Sequence, residues 1–230
     1  QDTYMSVFEA LRAAAWACEV NVDIVWVNAE KLEKDKAEQK ILKSLHGIIV
    51  PGGFGPRGIE GKVLAADFAL NNKMPYLGLC LGLQVALIAS ARRSGLRSAN
   101  STEFNKNTDH PVVSTMAEQI GKENTGGTMR LGDYTCVLER GSLARRVYGV
   151  PEIIERHRHR YEANNFYRGQ YKEWGIKDTG LSPDKSLVEM IEALYHPYFI
   201  ATQAHPELRS RPNKPHPLFT GLIKACLVKN

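Results

Sequence analysis

The sequence predicts an α/β fold in three layers: a mostly parallel central sheet with helices on both faces, plus a small antiparallel strand region. Three observations lead there. Short apolar runs at residues 47–50 and 74–79 alternate with longer stretches of helical periodicity at 60–70 and 81–93. The first run stops at Pro51, Gly52 and Gly53, which marks a buried strand ending in a backbone-tight loop. At 230 residues and 43% hydrophobic content, the chain can build a full core within one domain, residues 1–230.

Taken in order, residues 1–18 place Val7, Phe8, Leu11, Ala14 and Ala15 at helical spacing, with Asp2 and Thr3 as candidate N-caps. Val22, Ile24 and Trp26 alternate with polar neighbours as a strand would. The charged stretch 30–43 reads as a surface helix or loop. Helix 81–93 is closed by Gly95. Beyond Asn100 strands are expected at 112–116, 128–138, 187–194 and 198–204, and helices near 165–174 and at 217–228. There is no internal repeat, low-complexity tract or clear linker. A doubly wound sheet normally puts a strand before its first helix, whereas this chain begins at a loop with Gln1, not Met. It therefore reads as a piece of a longer polypeptide, although processing would look the same.

Composition narrows the function classes. No apolar run approaches the ~20 residues that span a bilayer, and no signal-like layout is present, so a cytoplasmic enzyme is the expectation. The four cysteines, Cys18, Cys80, Cys136 and Cys226, are far apart, with no C-x-x-C pair and no histidine at finger spacing. They read as free thiols rather than as disulfides or a metal site. A net charge of +5 and a pI near 9.0 would suit an anionic partner, but the basic residues are spread along the chain, which argues against nucleic acid.

Gly78-Leu79-Cys80-Leu81-Gly82 has the pattern of a nucleophile elbow between a buried strand and a helix. Its glycines remove Cβ atoms that would collide in so tight a turn. Cys80 would stand at the positive end of the helix, which favours a thiolate. The plainer reading is a packed cysteine at a glycine-rich strand end. Cys18, Cys136 and Cys226 lack any such setting. Gln203-Ala204-His205-Pro206-Glu207 follows a predicted strand, and in an extended segment residues i and i+2 share a face. Glu207 could then hold one nitrogen of His205 while the other faces Cys80, which makes a Cys, His, Glu triad. The N–H groups of Gly53 and Leu81 would form an oxyanion hole, with phosphate binding as the rival use of the glycine loop. The dense basic run 156–161 could be a nucleic-acid patch, a solvated loop, or an arginine gripping a carboxylate.

These segments together resemble the class I glutamine amidotransferases, and within them the glutaminase domains of CTP synthases. The matching text is PGGFGPRG (51–58), GLCLGLQ (78–84), NSTEF (100–104), GGTMRLG (126–132), RHRHRYEAN (156–164) and HPELRSRP (205–212). The elbow and the later His-x-Glu are common to the whole class, and the basic run and the Ser-Arg-Pro tail are specific to the CTP synthase branch. The resemblance implies that Cys80 attacks the side-chain amide carbon of L-glutamine. His205 protonates the departing ammonia, then serves as base for hydrolysis of the thioester, and Glu207 orients His205. It further implies an oxyanion hole at Gly53 and Leu81, and glutamine contacts at Gly53, Leu81, Gly82, Leu83 and Gln84. Glu103 would hold the substrate's ammonium and Arg160 its α-carboxylate, which assigns the basic run to ligand recognition.

No metal or cofactor is implied for this domain. The ammonia would go to a synthetase domain of the same parent chain, absent here, which uses ATP and magnesium to aminate UTP, with GTP as activator and a homotetramer as the full-length assembly. Two departures stand out: Ala204 where an aromatic residue is common, which bears on the packing around His205, and Ala163 where valine is frequent. The alternatives are the glutaminase of GMP synthase, a γ-glutamyl hydrolase, or a non-catalytic assembly module of the same fold.

Overall fold

Strand β1 (Ile48–Val50) turns Ile48 and Val50 to one face of a sheet and Ile49 to the other, and apolar partners meet both faces. Strands β2 (Tyr76–Leu79) and β10 (Phe199–Thr202) do the same: Tyr76, Phe199 and Ala201 face one core, Leu77, Leu79 and Ile200 the other. Because side chains alternate with period two, a strand apolar on both faces has to be covered twice. In the computed structural model, which describes residues 2–115 and 129–228, the covers are two helical layers. One holds α2 (Ala29–Lys34), α4 (Ile59–Asn72) and α5 (Leu81–Arg93), with α3 (Lys36–Ile41) on its outside. The other holds α1 (Met5–Ala17), α6 (Leu143–Tyr148) and α7 (Pro217–Val228). Among the described residues no helix is long and apolar enough to cross a membrane.

The remaining strands are β3 (Asn100–Ser101), β4 (Pro111–Thr115), β5 (Arg130–Leu138), β6 (Glu152–His159), β7 (Tyr161–Ala163), β8 (Ile176–Leu181) and β9 (Val188–Ala193). Among the described residues the central sheet has seven strands in the order β1-β2-β10-β9-β8-β5-β6, and β3-β4-β7 form a second, small sheet. The α/β architecture is as expected, but the sheet is mixed rather than mostly parallel. Only the β1, β2, β10 end is parallel; β10, β9, β8, β5 and β6 pair antiparallel. The reason lies in the connections: β8 to β9 and β9 to β10 are joined by short turns, and a parallel neighbour needs a crossover of a dozen residues or more.

Other differences are local. Residues 22–26 form no strand; the segment is held through its side chains, with Trp26 stacked on Phe8 at 4.7 Å and Val22 and Ile24 packed on the second core. Tyr4 is the N-cap of α1 and makes no side-chain cap, and Asp2 and Thr3 fall in a 3₁₀ turn before it. The helix expected near 165–174 is a 3₁₀ turn over Asn165–Gln170, opened by the Asn164 side chain accepting from the Phe166 N–H. Met116 and Thr128, the expected ends of two strands, and Gly126, Gly127 and Thr128 of the GGTMRLG motif lie outside the described residues.

The β2 to α5 junction is where packing is tightest. Every residue of α5 from Leu81 to Ala91 is buried, so the helix is a central pillar with no solvent face along most of its length. Tyr76 stacks on Phe199 with ring centroids 4.3 Å apart and donates its hydroxyl to the Gly82 carbonyl at 2.9 Å, tying strand to helix across the turn. A Cβ on Gly78 would lie 2.7 Å from the Gly82 backbone, and one on Gly82 would run into the Val50 carbonyl oxygen. Alanine normally gains ~0.5–1 kcal/mol over glycine inside a helix. Here the sign reverses: Gly82→Ala is expected to lower stability by about 1–3 kcal/mol through overpacking. Urea unfolding of the two proteins reads this directly, and an unchanged or raised midpoint would contradict the packing argument.

Candidate active site

Cys80 occupies the turn between β2 and α5 with φ 52° and ψ −99°, in a positive-φ region that a residue bearing a Cβ rarely enters. The conformation is held from both sides. Its N–H donates to the Thr202 carbonyl at 2.8 Å, extending the β2/β10 ladder, and its own carbonyl accepts from the Leu83 N–H at 3.0 Å as the first bond of the helix. The thiol therefore stands at the N-terminal end of a 13-residue helix, where the dipole and the unpaired N–H groups of the first turn favour negative charge. Cys18, Cys136 and Cys226 are also free thiols, but none is on such a turn; burial pushes the Cys136 thiol well above its ordinary range.

His205 comes up beside this sulfur. Its Nδ1 lies 2.7 Å from Glu207 Oε1, and the Cys80 side chain is near enough to the ring to raise its pKa. The pairing of i with i+2 arises differently from the expectation: β10 ends at Thr202, and His205 instead caps a 3₁₀ turn over Pro206–Arg209 that swings the Glu207 carboxylate back under the ring. Gly52 makes the approach possible, since a Cβ there would sit 2.6 Å from His205 Cε1. Ala204 is buried and its N–H bonds Thr202 Oγ1 at 3.2 Å, so the small side chain leaves the segment anchored. Burial disfavours charge on His205, but the Cys80 and Glu207 hydrogen bonds and their negative charges outweigh it and push its pKa up to about 10.

The predicted binding residues converge on the same edge. A Cβ on Gly53 would touch Leu81 Cδ2 at 3.2 Å and lie 3.6 Å from Lys62 Nζ, so the glycine loop after β1 lies against the first residue of α5. Glu103, following β3, accepts the Gly55 N–H at 2.7 Å; burial raises its pKa, and the Gly55 bond and the Lys62 charge oppose that rise. Gln84 donates its amide to the Tyr161 carbonyl at 3.1 Å, which fixes the chain next to half-buried Arg160. The Leu83 side chain is completely buried in the core, and its N–H donates to the Cys80 carbonyl at 3.0 Å, which supports the turn.

The basic run 156–161 is mostly strand β6. Its burial alternates: His157 and His159 point inward, Arg156 and Arg158 outward. Two of its carbonyls reach the site, with Arg156 accepting the His205 N–H at 2.7 Å and Arg158 oxygen 4.0 Å from the Cys80 sulfur. Its inward histidines enter a buried charge cluster in which Arg130 bonds Glu162 at 2.9 Å and Glu189 at 2.7 Å, and His159 bonds Glu162 at 2.7 Å. Two residues that sequence reasoning did not single out also matter here: Lys62, on the face of α4 toward Gly53, and Gln203, whose Nε2 lies 3.7 Å from the Cys80 sulfur. The signal for Gln203 was its position two residues before His205, read only as flanking text. Among the described residues no group of His, Cys, Asp and Glu is arranged to hold a metal ion.

The raised pKa gives a directional test. The His205 charge, and the stability it contributes, is complete below the unfolded value near 6.5 and is lost only as pH rises through about 10. An NMR titration of the imidazole should place its midpoint well above 6.5, and Cys80→Ser should bring it down toward the ordinary range. A midpoint near 6.5 in the unsubstituted protein would refute the ion pair.

Residues 1–225 match the family described as glutamine amidotransferase class-I. The chain is similar to the CTP synthase of Nocardia farcinica, 53% identical over 232 residues, covering 98% of this chain and 40% of that protein. It is also similar to the CTP synthase of Caldanaerobacter subterraneus, 55% identical over 227 residues, covering 98% of this chain and 42% of that protein. The chain thus spans about two fifths of the length of these curated relatives. Among solved structures it resembles the glutaminase domain of Trypanosoma brucei CTPS with bound acivicin: TM-score 0.92, 37% identity, covering all of this chain and 90% of that one. A glutamine amidotransferase from Thermotoga maritima shares the fold alone, at TM-score 0.54 and 14% identity. By sequence along nearly its whole length, and by a fold built around the cysteine turn, the chain belongs to the class I glutamine amidotransferase family.

Proposed function

We propose that this chain is one amidotransferase domain, residues 1–230, that hydrolyses L-glutamine to glutamate and ammonia through a thioester on Cys80. What carries the reading is the meeting, at one sulfur, of a strained helix-end turn and an imidazole that holds its charge far above neutral pH. The relatives named CTP synthase, and the T. brucei CTPS glutaminase domain with acivicin bound, support the same direction.

In the proposed cycle the Cys80 thiolate adds to the amide carbon of glutamine. The Gly53 and Leu81 N–H groups take the charge that develops on oxygen, donors typically worth ~100-fold or more in rate. The His205 imidazolium gives its proton to the departing nitrogen, the C–N bond breaks, and ammonia leaves a glutamyl thioester. Neutral His205 then draws a proton from water as the water oxygen adds to the thioester carbon. Collapse expels the Cys80 thiolate, restores the imidazolium, and releases glutamate. Glu207 holds the ring in the required tautomer throughout. Glu103 receives the substrate's ammonium, Arg160 grips its α-carboxylate with a guanidinium fork, and Gly82 and Gln84 shape the wall between them. The ammonia then serves a cytoplasmic synthetase domain of the same parent chain that aminates UTP with ATP and magnesium, assembled as a tetramer and activated by GTP.

A glutamine analogue with an electrophilic carbon in place of the amide should label Cys80 and leave Cys18, Cys136 and Cys226 unmodified, as read by mass spectrometry of the peptides. Cys80→Ser should cut ammonia release, measured with the synthetase partner supplied, on the order of 10⁴-fold or more while the fold is kept. Label on another cysteine, or full activity in the serine variant, would end this reading. Glu103→Gln should raise KM for glutamine by roughly 10- to 100-fold, the range for a lost charge-assisted hydrogen bond, with kcat little changed. A fall in kcat at constant KM would move Glu103 out of the binding role.

A further inference from the structure

Gln203 has no assigned part in the chemistry, yet its side chain is in contact with the reacting atom. It is completely buried, and Nε2 lies 3.7 Å from Cys80 Sγ, closer than the 4.0 Å of the Arg158 carbonyl oxygen. Its backbone is clamped: the Gln203 N–H donates to the Glu189 carbonyl at 2.8 Å, and the preceding residue, Thr202, accepts the Cys80 N–H at 2.8 Å. The amide is thus delivered to the sulfur by the same β2/β10 register that sets the turn. Its Oε1 is buried with no hydrogen-bond partner among the described residues. An unpaired buried carbonyl costs ~1–3 kcal/mol that an apolar side chain of equal size would avoid. Purely structural packing therefore does not account for an amide here.

Resting on the glutaminase reading, we propose that Gln203 is a further catalytic residue: its Nε2–H donates to the Cys80 sulfur and stabilises the thiolate over the thiol. A thiolate is acceptor only, so an amide N–H favours it, whereas the Arg158 carbonyl can accept only from the protonated S–H. The two groups act in opposite senses on one equilibrium. The charged groups around the sulfur are His205, with Glu207 behind it. Further out lies His157, kept neutral by burial and by the charge of neighbouring Arg130. The amide is a neutral donor added to that imidazolium. It keeps one hydrogen bond on the sulfur when His205 has passed its proton to ammonia, and again receives the thiolate when the thioester collapses.

The test is the pH dependence of Cys80 carbamidomethylation by iodoacetamide in the full chain, followed on the Cys80 peptide, for the unsubstituted protein, Gln203→Met and Gln203→Glu. Methionine keeps the size and removes the donor; glutamate keeps the shape and puts charge of the wrong sign beside the sulfur. The expected result is a midpoint raised by about one to two pH units in Gln203→Met, the tenfold to hundredfold worth of a hydrogen bond to a charged group, and raised further in Gln203→Glu. Midpoints unchanged in both variants overturn the assignment. A measurement in the unsubstituted fold stands beside it: with ¹⁵N-labelled glutamine, the Gln203 side-chain amide should shift when Cys80 is alkylated, and a resonance indifferent to alkylation overturns the assignment as well. A Cys80 that iodoacetamide does not modify at any pH sinks the glutaminase reading itself, and Gln203 with it; a reactive Cys80 with unmoved midpoints sinks the Gln203 role alone.

Discussion

A cysteine held at positive φ between a fully buried strand and a helix buried from Leu81 to Ala91 is the constraint from which the site follows. Left to itself the turn would relax, since such backbone costs on the order of 1–3 kcal/mol. It persists because neither flank can move. β2 lies between β1 and β10, α5 is packed all round, and the Tyr76 hydroxyl bridges the two elements directly. The paired glycines at 78 and 82 are what allow strand and helix to close to this distance. The strain at Cys80 is thus sustained by core packing rather than by any contact with a ligand.

Electrostatics builds on that geometry. His205 is brought to the sulfur by main-chain bonds: one to the Arg156 carbonyl, and one from the Leu208 N–H to its own carbonyl. Side-chain charge enters through Glu207 and through the sulfur itself. Because the imidazole is poorly solvated, its two negative neighbours act with less screening than at the surface, which is why their pull exceeds the cost of burial. Behind β6, the cluster of Arg130, Glu162, Glu189 and His159 fills what would otherwise be a polar gap between β5, β7 and β9. Removing one member of such a cluster strands the others, so it stiffens the strand whose carbonyls touch the site.

How much of this was legible beforehand depends on whether a feature is local. The turn at Cys80 was readable because its strand, glycines and helix are contiguous, and helix 81–93 was placed to the residue. The His205 and Glu207 pair was readable as a partnership but not as a geometry, since a proline-led 3₁₀ turn replaced the expected extended segment. The mixed sheet was not readable, because strand direction depends on which strands neighbour each other rather than on their own patterns. The run 156–161 misled in a specific way: its histidines and arginines alternate as a half-buried strand should, but histidine carries no apolar signal, so the period was hidden under the charge. The packing role of Leu83 was legible in the apolar periodicity of helix 81–93, which puts its side chain in the core.

Among the described residues β6 ends the order of the central sheet, and an unpaired strand margin is ordinarily a template on which other chains can pair. Part of that margin is already spoken for here, because the Arg156 carbonyl receives the main-chain N–H of His205. The hydrogen bond that seats the imidazole beside the sulfur thus also covers part of a sheet margin, so lifting the His205 segment away would move the ring from Cys80 and uncover that length of backbone together.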